Sequence, residues 1–219
     1  MISTSSIPVG YLEPSASGPL NGLRVIDLSR LVAGNMLTLQ LGDFGADVIK
    51  VERPGVGDDT RSWGPPFVTQ TDGDGRDAVY FFCANRNKRS LTLDFTTEAG
   101  KAVLHKLVQK ADVLVENYKV GGLQKAGLDY ATLSLINPQL IYCSITGFGT
   151  SEKAAELPGY DLLLQGMSGL MSITGSDENN PSKVGVALVD VITGLHAVIG
   201  ILAALRARDE QGVGQKVEL

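Results

Sequence analysis

The sequence predicts an α/β fold: a Rossmann-like parallel sheet with helices on both faces. Three observations carry that expectation. Short apolar runs alternate with helix-patterned stretches over residues 23–145. The runs are apolar at successive positions, as strands covered on both faces must be. A chain of 219 residues with 43% hydrophobic and only 20% charged side chains also has enough apolar surface to build a substantial core.

Taken in order, Leu23-Arg-Val-Ile-Asp-Leu28 reads as the first strand, followed by a helix over about residues 33–44 and Gly45. Asp47-Val-Ile-Lys-Val-Glu52 is the second strand, stopped by Arg53-Pro-Gly55, and a polar loop runs to about Asp77. Ser90-Leu-Thr-Leu-Asp94 is expected to be the third strand. A capped helix follows over about residues 97–110, where Ala99, Val103, Leu104, Leu107 and Val108 recur at helical spacing. Asp112-Val-Leu-Val-Glu116 and Leu140-Ile-Tyr-Cys-Ser-Ile145 are the fourth and fifth strands, with two short helical pieces between them. Ligands of such sheets gather at the carboxyl ends of the strands, so the loops starting near Ser29, Arg53, Asn117 and Gly147 are the candidate site.

Several function classes are disfavoured. The first strand-to-helix turn, Ser29-Arg-Leu-Val-Ala-Gly-Asn35, lacks the Gly-x-Gly-x-x-Gly of a dinucleotide site, and no phosphate-loop motif occurs. A net charge of −5 argues against a nucleic-acid partner. Cys83 and Cys143 lack metal-ligand spacing and are expected to be buried free thiols in a reducing compartment, so no metal site and a cytoplasmic location are expected. Residues 1–18 read as a flexible leader without the features of a signal or transit peptide. The apolar run after Val186 is long enough to span a bilayer but contains Asp190, Thr193 and His196; a buried helix, with no membrane partner, is the expectation.

Asp190 is the most informative residue, a lone carboxylate at the head of that run. A buried charge needs a partner or a task. A helix starting near Asp190 would let its first-turn amides and dipole hold the carboxylate ionised, making it a nucleophile or merely an N-cap. Arg53, Arg61 and the run Asn85-Arg-Asn-Lys-Arg-Ser90 suit an anionic ligand, or form a solvated loop with salt bridges. Asn117 and Tyr118 can bind and stack a base or simply pack. Tyr160 can meet a substrate or anchor its loop. His196 reads as a satisfied core histidine and His105 as peripheral.

Together these segments resemble the class III CoA-transferase family, which also contains carnitine CoA-transferase and α-methylacyl-CoA racemase branches. The matching pieces include Gly45-Ala-Asp-Val-Ile-Lys-Val-Glu-Arg-Pro-Gly55, Asn85-Arg-Asn-Lys-Arg-Ser90, Asp112-Val-Leu-Val-Glu-Asn-Tyr118, Pro158-Gly-Tyr-Asp161 and Gly212-Val-Gly-Gln-Lys216. Gly57-Asp-Asp-Thr-Arg-Ser-Trp-Gly-Pro-Pro-Phe67 and Ile141-Tyr-Cys-Ser-Ile-Thr-Gly147 look most like the succinyl-CoA:dicarboxylate, glutarate-type branch.

The resemblance implies that residues 19–219 are the N-terminal part of a CoA-binding large domain. The small domain and C-terminal helices of the family lie outside this chain, which leaves the large domain incomplete. It implies an aspartyl-CoA thioester on Asp190, with CoA moved from a short acyl-CoA such as succinyl-CoA to a small carboxylic acid. Coenzyme A is then a substrate, and no tightly bound cofactor is needed. Arg53, Leu93, Phe95, Asn117, Tyr118 and Lys125 match positions around the adenine and phosphates of CoA. Val32 and Ala33 match the turn beside the pantetheine arm, and Tyr160 lies near the acyl group. The full-length form is implied to be an interlocked homodimer. Tyr160 stands where the racemase branch has a histidine, so an α-methylacyl-CoA racemase is the alternative; a non-catalytic CoA-binding fragment is another. Val32 replaces a glutamine of formyl-CoA-type members.

Overall fold

A computed structural model describes residues 17–69 and 75–219. Most of the expected leader therefore lies outside the described residues. Among the described residues, eight strands form two sheets. The large sheet contains β1 (Arg24–Asp27), β2 (Asp47–Glu52), β5 (Lys88–Thr92), β6 (Val113–Glu116), β7 (Ile141–Ser144) and β8 (Lys216–Glu218), while β3 (Phe67–Thr69) and β4 (Arg76–Ala78) make a separate antiparallel hairpin. The large sheet runs β5-β2-β1-β6-β7-β8, and every pairing is parallel. With the hairpin set aside, that is the 3-2-1-4-5-6 order of a doubly wound Rossmann sheet. Strand order reverses between β1 and β6, and ligands of this architecture bind outside the strand ends at such a point.

Alternation along each strand feeds two cores. Val25, Val48, Val113 and Cys143 point to one face, packed by α1 (Ala33–Asp43) and α7 (Leu188–Gln211). Ile26, Ile49, Leu114 and Tyr142 point to the other, under α3 (Glu98–Val108) and α4 (Tyr130–Ile136). Thr97 caps α3 by accepting a hydrogen bond from the Gly100 amide, as its place before an amphipathic stretch dictates. Gly194 lets α7 lie close on α1: a Cβ there would stand 2.8 Å from the Ala33 carbonyl oxygen. This contact sets the first turns of α7 beside the turn that follows β1.

Some expectations are corrected. The third strand of the large sheet is Lys88–Thr92, two residues earlier than read, because Lys88 is drawn inward by buried acid partners. The hairpin, α2 (Val79–Asn85), α5 (Asp161–Met167), α6 (Leu170–Thr174) and β8 were not anticipated. Cys83 sits exposed on α2 rather than buried in a strand, whereas Cys143 is buried as expected. α7 is long and apolar enough by composition to cross a bilayer. In the fold only one of its faces is buried; Ile192, Leu195 and Ile199 are exposed on the other. His196 is likewise exposed, not in the core, and is satisfied by the carbonyl of Ile192 at 2.9 Å.

Candidate functional site

A cavity of about 1030 Å³ opens at the strand-order reversal. Its walls come from the turn after β1, the segment after β6, the loop after β7 and the heads of α5 and α7. Of the ten expected site residues, Val32, Ala33, Asn117, Tyr118, Tyr160 and Asp190 line it. Arg53 and Phe95 border a small neighbouring recess that Tyr118 shares. Leu93 packs beside Phe95 and Tyr118 against the second core. Lys125, on a one-turn 3-10 helix (Gln124–Ala126), is exposed and is not brought to the cavity.

The first crossover turn is held from below by a buried charge network. Asp27, at the end of β1, accepts from the Ser29 amide (2.9 Å), the Ser29 hydroxyl (2.5 Å), the Thr38 hydroxyl (2.6 Å) and Lys88 (3.2 Å). Lys50 reaches the Ser29 carbonyl (3.0 Å), Asn35 Oδ1 (2.6 Å) and Asp58 (2.9 Å), which uses all three of its protons. Lys88 also uses three, on Asp27, the Asn35 carbonyl and Asn85. Both lysine side chains are 2% exposed. Burial alone would raise the Asp27 carboxyl, but Lys50, Lys88 and the two hydroxyls outweigh it and hold it below the ordinary value. Asp58 is held at about 2 against its own burial, chiefly by Lys50 and by hydrogen bonds from Thr60, Lys50 and Asn35. Burial lowers Lys88 to about 8 despite Asp27, with Lys50 adding to the effect.

The turn above this network carries backbone strain: Leu31 has a φ of 68°, a left-handed conformation that costs a side-chain-bearing residue about 1–2 kcal/mol. Asn117 clamps the preceding residue from both sides, accepting from the Arg30 amide (2.9 Å) and donating to the Arg30 carbonyl (2.7 Å). Asn35 takes the Leu31 carbonyl at 2.5 Å. The Asn117 amide is therefore spent on the backbone, not held free for a base. The Tyr118 ring carries the Arg30 guanidinium 5.2 Å from its centroid and meets Phe95 edge-on at 5.9 Å.

The cationic run is likewise committed. Arg61 makes two 2.7 Å bonds to Glu52 and one of 3.1 Å to Asp77. Arg53 pairs with Asp59 at 2.9 Å, Arg86 with Asp43, and Arg89 with Asp47. The ion-pair reading of these residues holds, except that Lys88 is buried rather than solvated. Arg30, which the sequence did not single out, is different: it pairs only loosely with Asp59 at 3.4 Å, and its buried Nε has no partner.

At the opposite wall, α7 starts at Leu188, so Asp190 is its third residue and not its cap. The first-turn amides do not serve Asp190. Leu188 N–H donates to the Val186 carbonyl (2.8 Å), while Val189 N–H and Asp190 N–H donate to Asp161 Oδ1 at 2.8 and 3.3 Å. Asp161, delivered by the head of α5, thus takes the position expected of Asp190. Among the described residues nothing donates a hydrogen bond to the Asp190 carboxylate. Burial, and then the nearby Asp161 charge, raise it to about 6, which corrects the expectation of amide stabilisation. Tyr80 of α2 stands close by: burial, followed by the charges of Asp190 and Asp161, raises its phenol. Its ring lies 5.5 Å from that of Trp63, which also lines the cavity. Tyr160 is exposed before α5, where Gly147 and Gly159 meet so closely that a Cβ on Gly147 would stand 2.3 Å from the Gly159 Cα. Neither histidine lines the cavity.

A profile described as CoA-transferase family III matches residues 20–219. The succinate–glutarate CoA-transferase of Agrobacterium fabrum is 50% identical over 206 residues, covering 94% of this chain and 52% of that protein. The succinyl-CoA:glutarate CoA-transferase of Mus musculus is 46% identical over 196 residues, covering 90% of this chain and 44% of that protein. Among solved structures, a CAIB/BAIF family protein from Brucella suis matches with a TM-score of 0.88 at 52% identity, covering 92% of this chain and 53% of that one. The chain spans about half the length of the curated relatives it matches.

Proposed function

The chain belongs to CoA-transferase family III, and from that premise we propose that the protein moves CoA from a short acyl-CoA, succinyl-CoA first among them, to a small carboxylic acid, with Asp190 as nucleophile. The observation that carries this reading is the state of Asp190: a half-buried carboxylate on the wall of the main cavity, given no hydrogen bond and raised to about 6. Such a group is ionised at neutral pH yet poorly stabilised, which favours attack on a carbonyl over quiet capping.

The steps balance without ATP or metal. The Asp190 carboxylate attacks the thioester carbonyl; the C–S bond breaks, CoA leaves as thiolate, and a mixed anhydride forms. The thiolate attacks the Asp190 carboxyl carbon, giving the aspartyl-CoA thioester and free succinate. The acceptor carboxylate attacks that thioester, CoA leaves again as thiolate, and a second anhydride forms. Thiolate attack on the acceptor acyl carbon yields the product and restores Asp190. Succinate and glutarate, named for the Agrobacterium relative, are the first pair to try.

Val32 and Ala33 flank the pantetheine arm in this reading. The recess of Arg53, Phe95 and Tyr118 lies toward the nucleotide, with Leu93 packed behind it. Arg30, which lines the cavity and pairs only loosely with Asp59, is placed for a phosphate or the distal carboxylate of a dicarboxylic acid. With Tyr160 and Tyr80 facing the cavity and no histidine on its wall, transfer is favoured over two-base racemisation.

Isotope exchange tests the reading. Full-length protein should carry label from free succinate into unlabelled succinyl-CoA, and Asp190→Asn should lower that rate by about 10³-fold or more, the equivalent of at least ~4 kcal/mol of barrier. Exchange that survives in Asp190→Asn would overturn the assignment.

A further inference from the structure

Gln165 is fully buried, a rare setting for a side chain with two polar ends. It lies one turn after Asp161 on α5. Its Oε1 accepts from the Val184 amide at 2.8 Å, and its Nε2 donates to Asp161 Oδ2 at 2.6 Å. That pairing fixes the amide's orientation. A flipped side chain would set NH₂ against N–H and oxygen against carboxylate, losing both bonds. Asp161 is therefore gripped at Oδ2 by Gln165, while its Oδ1 takes the amides of Val189 and Asp190.

We propose that Gln165 is a positioning residue for the nucleophile: it locks Asp161 across the first-turn amides of α7, so that Asp190 keeps its carboxylate in the cavity without those donors. The inference rests on the reading of Asp190 as nucleophile and adds the device that keeps it reactive. A structural explanation accounts for the two bonds between a buried glutamine and the loop, from the Val184 amide at 2.8 Å and to the Val186 carbonyl at 3.5 Å. It does not account for the chain Val184 N–H, Gln165, Asp161, α7 amides, which ends at the backbone of Asp190 itself. The arrangement also sets a second negative charge beside the nucleophile. The cavity that Asp190 lines also holds Tyr80 from α2, Tyr160 from the residue before α5, and Lys183 from the loop before α7; of these Tyr80 feels the Asp190 charge. The first turn of α1 presents only Ala33 beside Val32, and His196 on α7 itself is exposed nearly two turns on. Lys183 is exposed, donates to the Val184 carbonyl at 3.3 Å, and forms no ion pair with Asp161 or Asp190.

The test reads Asp190 directly, without turnover. Carboxyl carbon NMR of aspartate-labelled full-length protein, assigned by the signal lost in Asp190→Asn, gives the titration midpoint of this side chain. The wild type should titrate near 6. Gln165→Met keeps the length but neither donates nor accepts as an amide does. It should free Asp161 from the amides, let Asp190 share them, and lower the midpoint by about one unit or more. Asp161→Asn, which keeps an acceptor for the amides but removes the charge, should lower it similarly and serves as a second reading if Gln165→Met folds poorly. A midpoint within a few tenths of wild type in Gln165→Met, accompanied only by a lower melting temperature, would make Gln165 a packing residue and overturn the proposal; so would an unmoved midpoint in Asp161→Asn. Failure of the exchange assay in wild type would instead strike at the transferase reading and leave this titration interpretable.

Discussion

Beneath the first crossover, Asp27 and Asp58 are met by two lysines, Lys50 between them and Lys88 on Asp27; at the head of α7, no lysine pairs with Asp161 or Asp190 among the described residues. Each region holds a pair of acids, fully buried in the first and half-buried in the second. In the first, every lysine proton is matched and both carboxyls are pushed down, Asp58 to about 2. In the second, one acid takes the available amides and the other is raised to about 6. The difference separates charge that holds a turn in place from charge left available for chemistry. A matched buried pair is costly to break on one side, whereas an unmatched carboxylate lowers stability as long as it is ionised.

Breaking the matched region should have the larger effect on stability. Lys50→Met leaves the buried Asp58 without its lysine and Asp27 with Lys88 alone, and a loss of about 3–5 kcal/mol is expected in urea unfolding of the full-length protein. A loss below about 1 kcal/mol would mean the network is not balanced as described. The unmatched region should respond with the opposite sign. The folded carboxyl of Asp190 binds its proton more tightly than the unfolded one. Stability is therefore reduced as pH rises from about 4 through about 6, and the deficit is complete above that. Asp190→Asn should remove the deficit, gaining about 1–2 kcal/mol at neutral pH after allowance for solvent screening, and nothing below about pH 4. An equal gain at both pH values would show that Asp190 is not destabilised by its charge. The smallest effect belongs to the exposed pairs. Arg89→Ala should cost less than about 1 kcal/mol and leave the KM for acyl-CoA unchanged, because Arg89 is engaged by Asp47. A raised KM would restore the anion-binding reading of that run.

Strands β1, β2, β6 and β7 were legible because they are largely apolar runs, and α3 because capping and periodicity agree with burial. The missed elements carry weak local signals. α2 opens Val79-Tyr-Phe-Phe-Cys, apolar at every position and so without a helical period. β8 is three residues, two of them charged, and β3 and β4 are equally short. At the site, Asp190 stood out because it is alone in an apolar run. Its partner Asp161 lies 29 residues earlier, and only tertiary packing brings the two together. Arg30, Tyr80 and Gln165 were invisible for the same reason, since their roles are set by contacts across the fold. The Asn85–Ser90 run left an anionic ligand and salt bridges as alternatives because its cations are neutralised by acids about 40–60 residues away, which spacing alone does not reveal.

Acylation of Asp190 is the step that the proposed transfer requires. Full-length protein incubated with succinyl-CoA and then hydroxylamine, digested and analysed by mass spectrometry, should carry a hydroxamate on Asp190 and on no other aspartate. An unmodified Asp190 in protein shown to bind CoA would contradict the account.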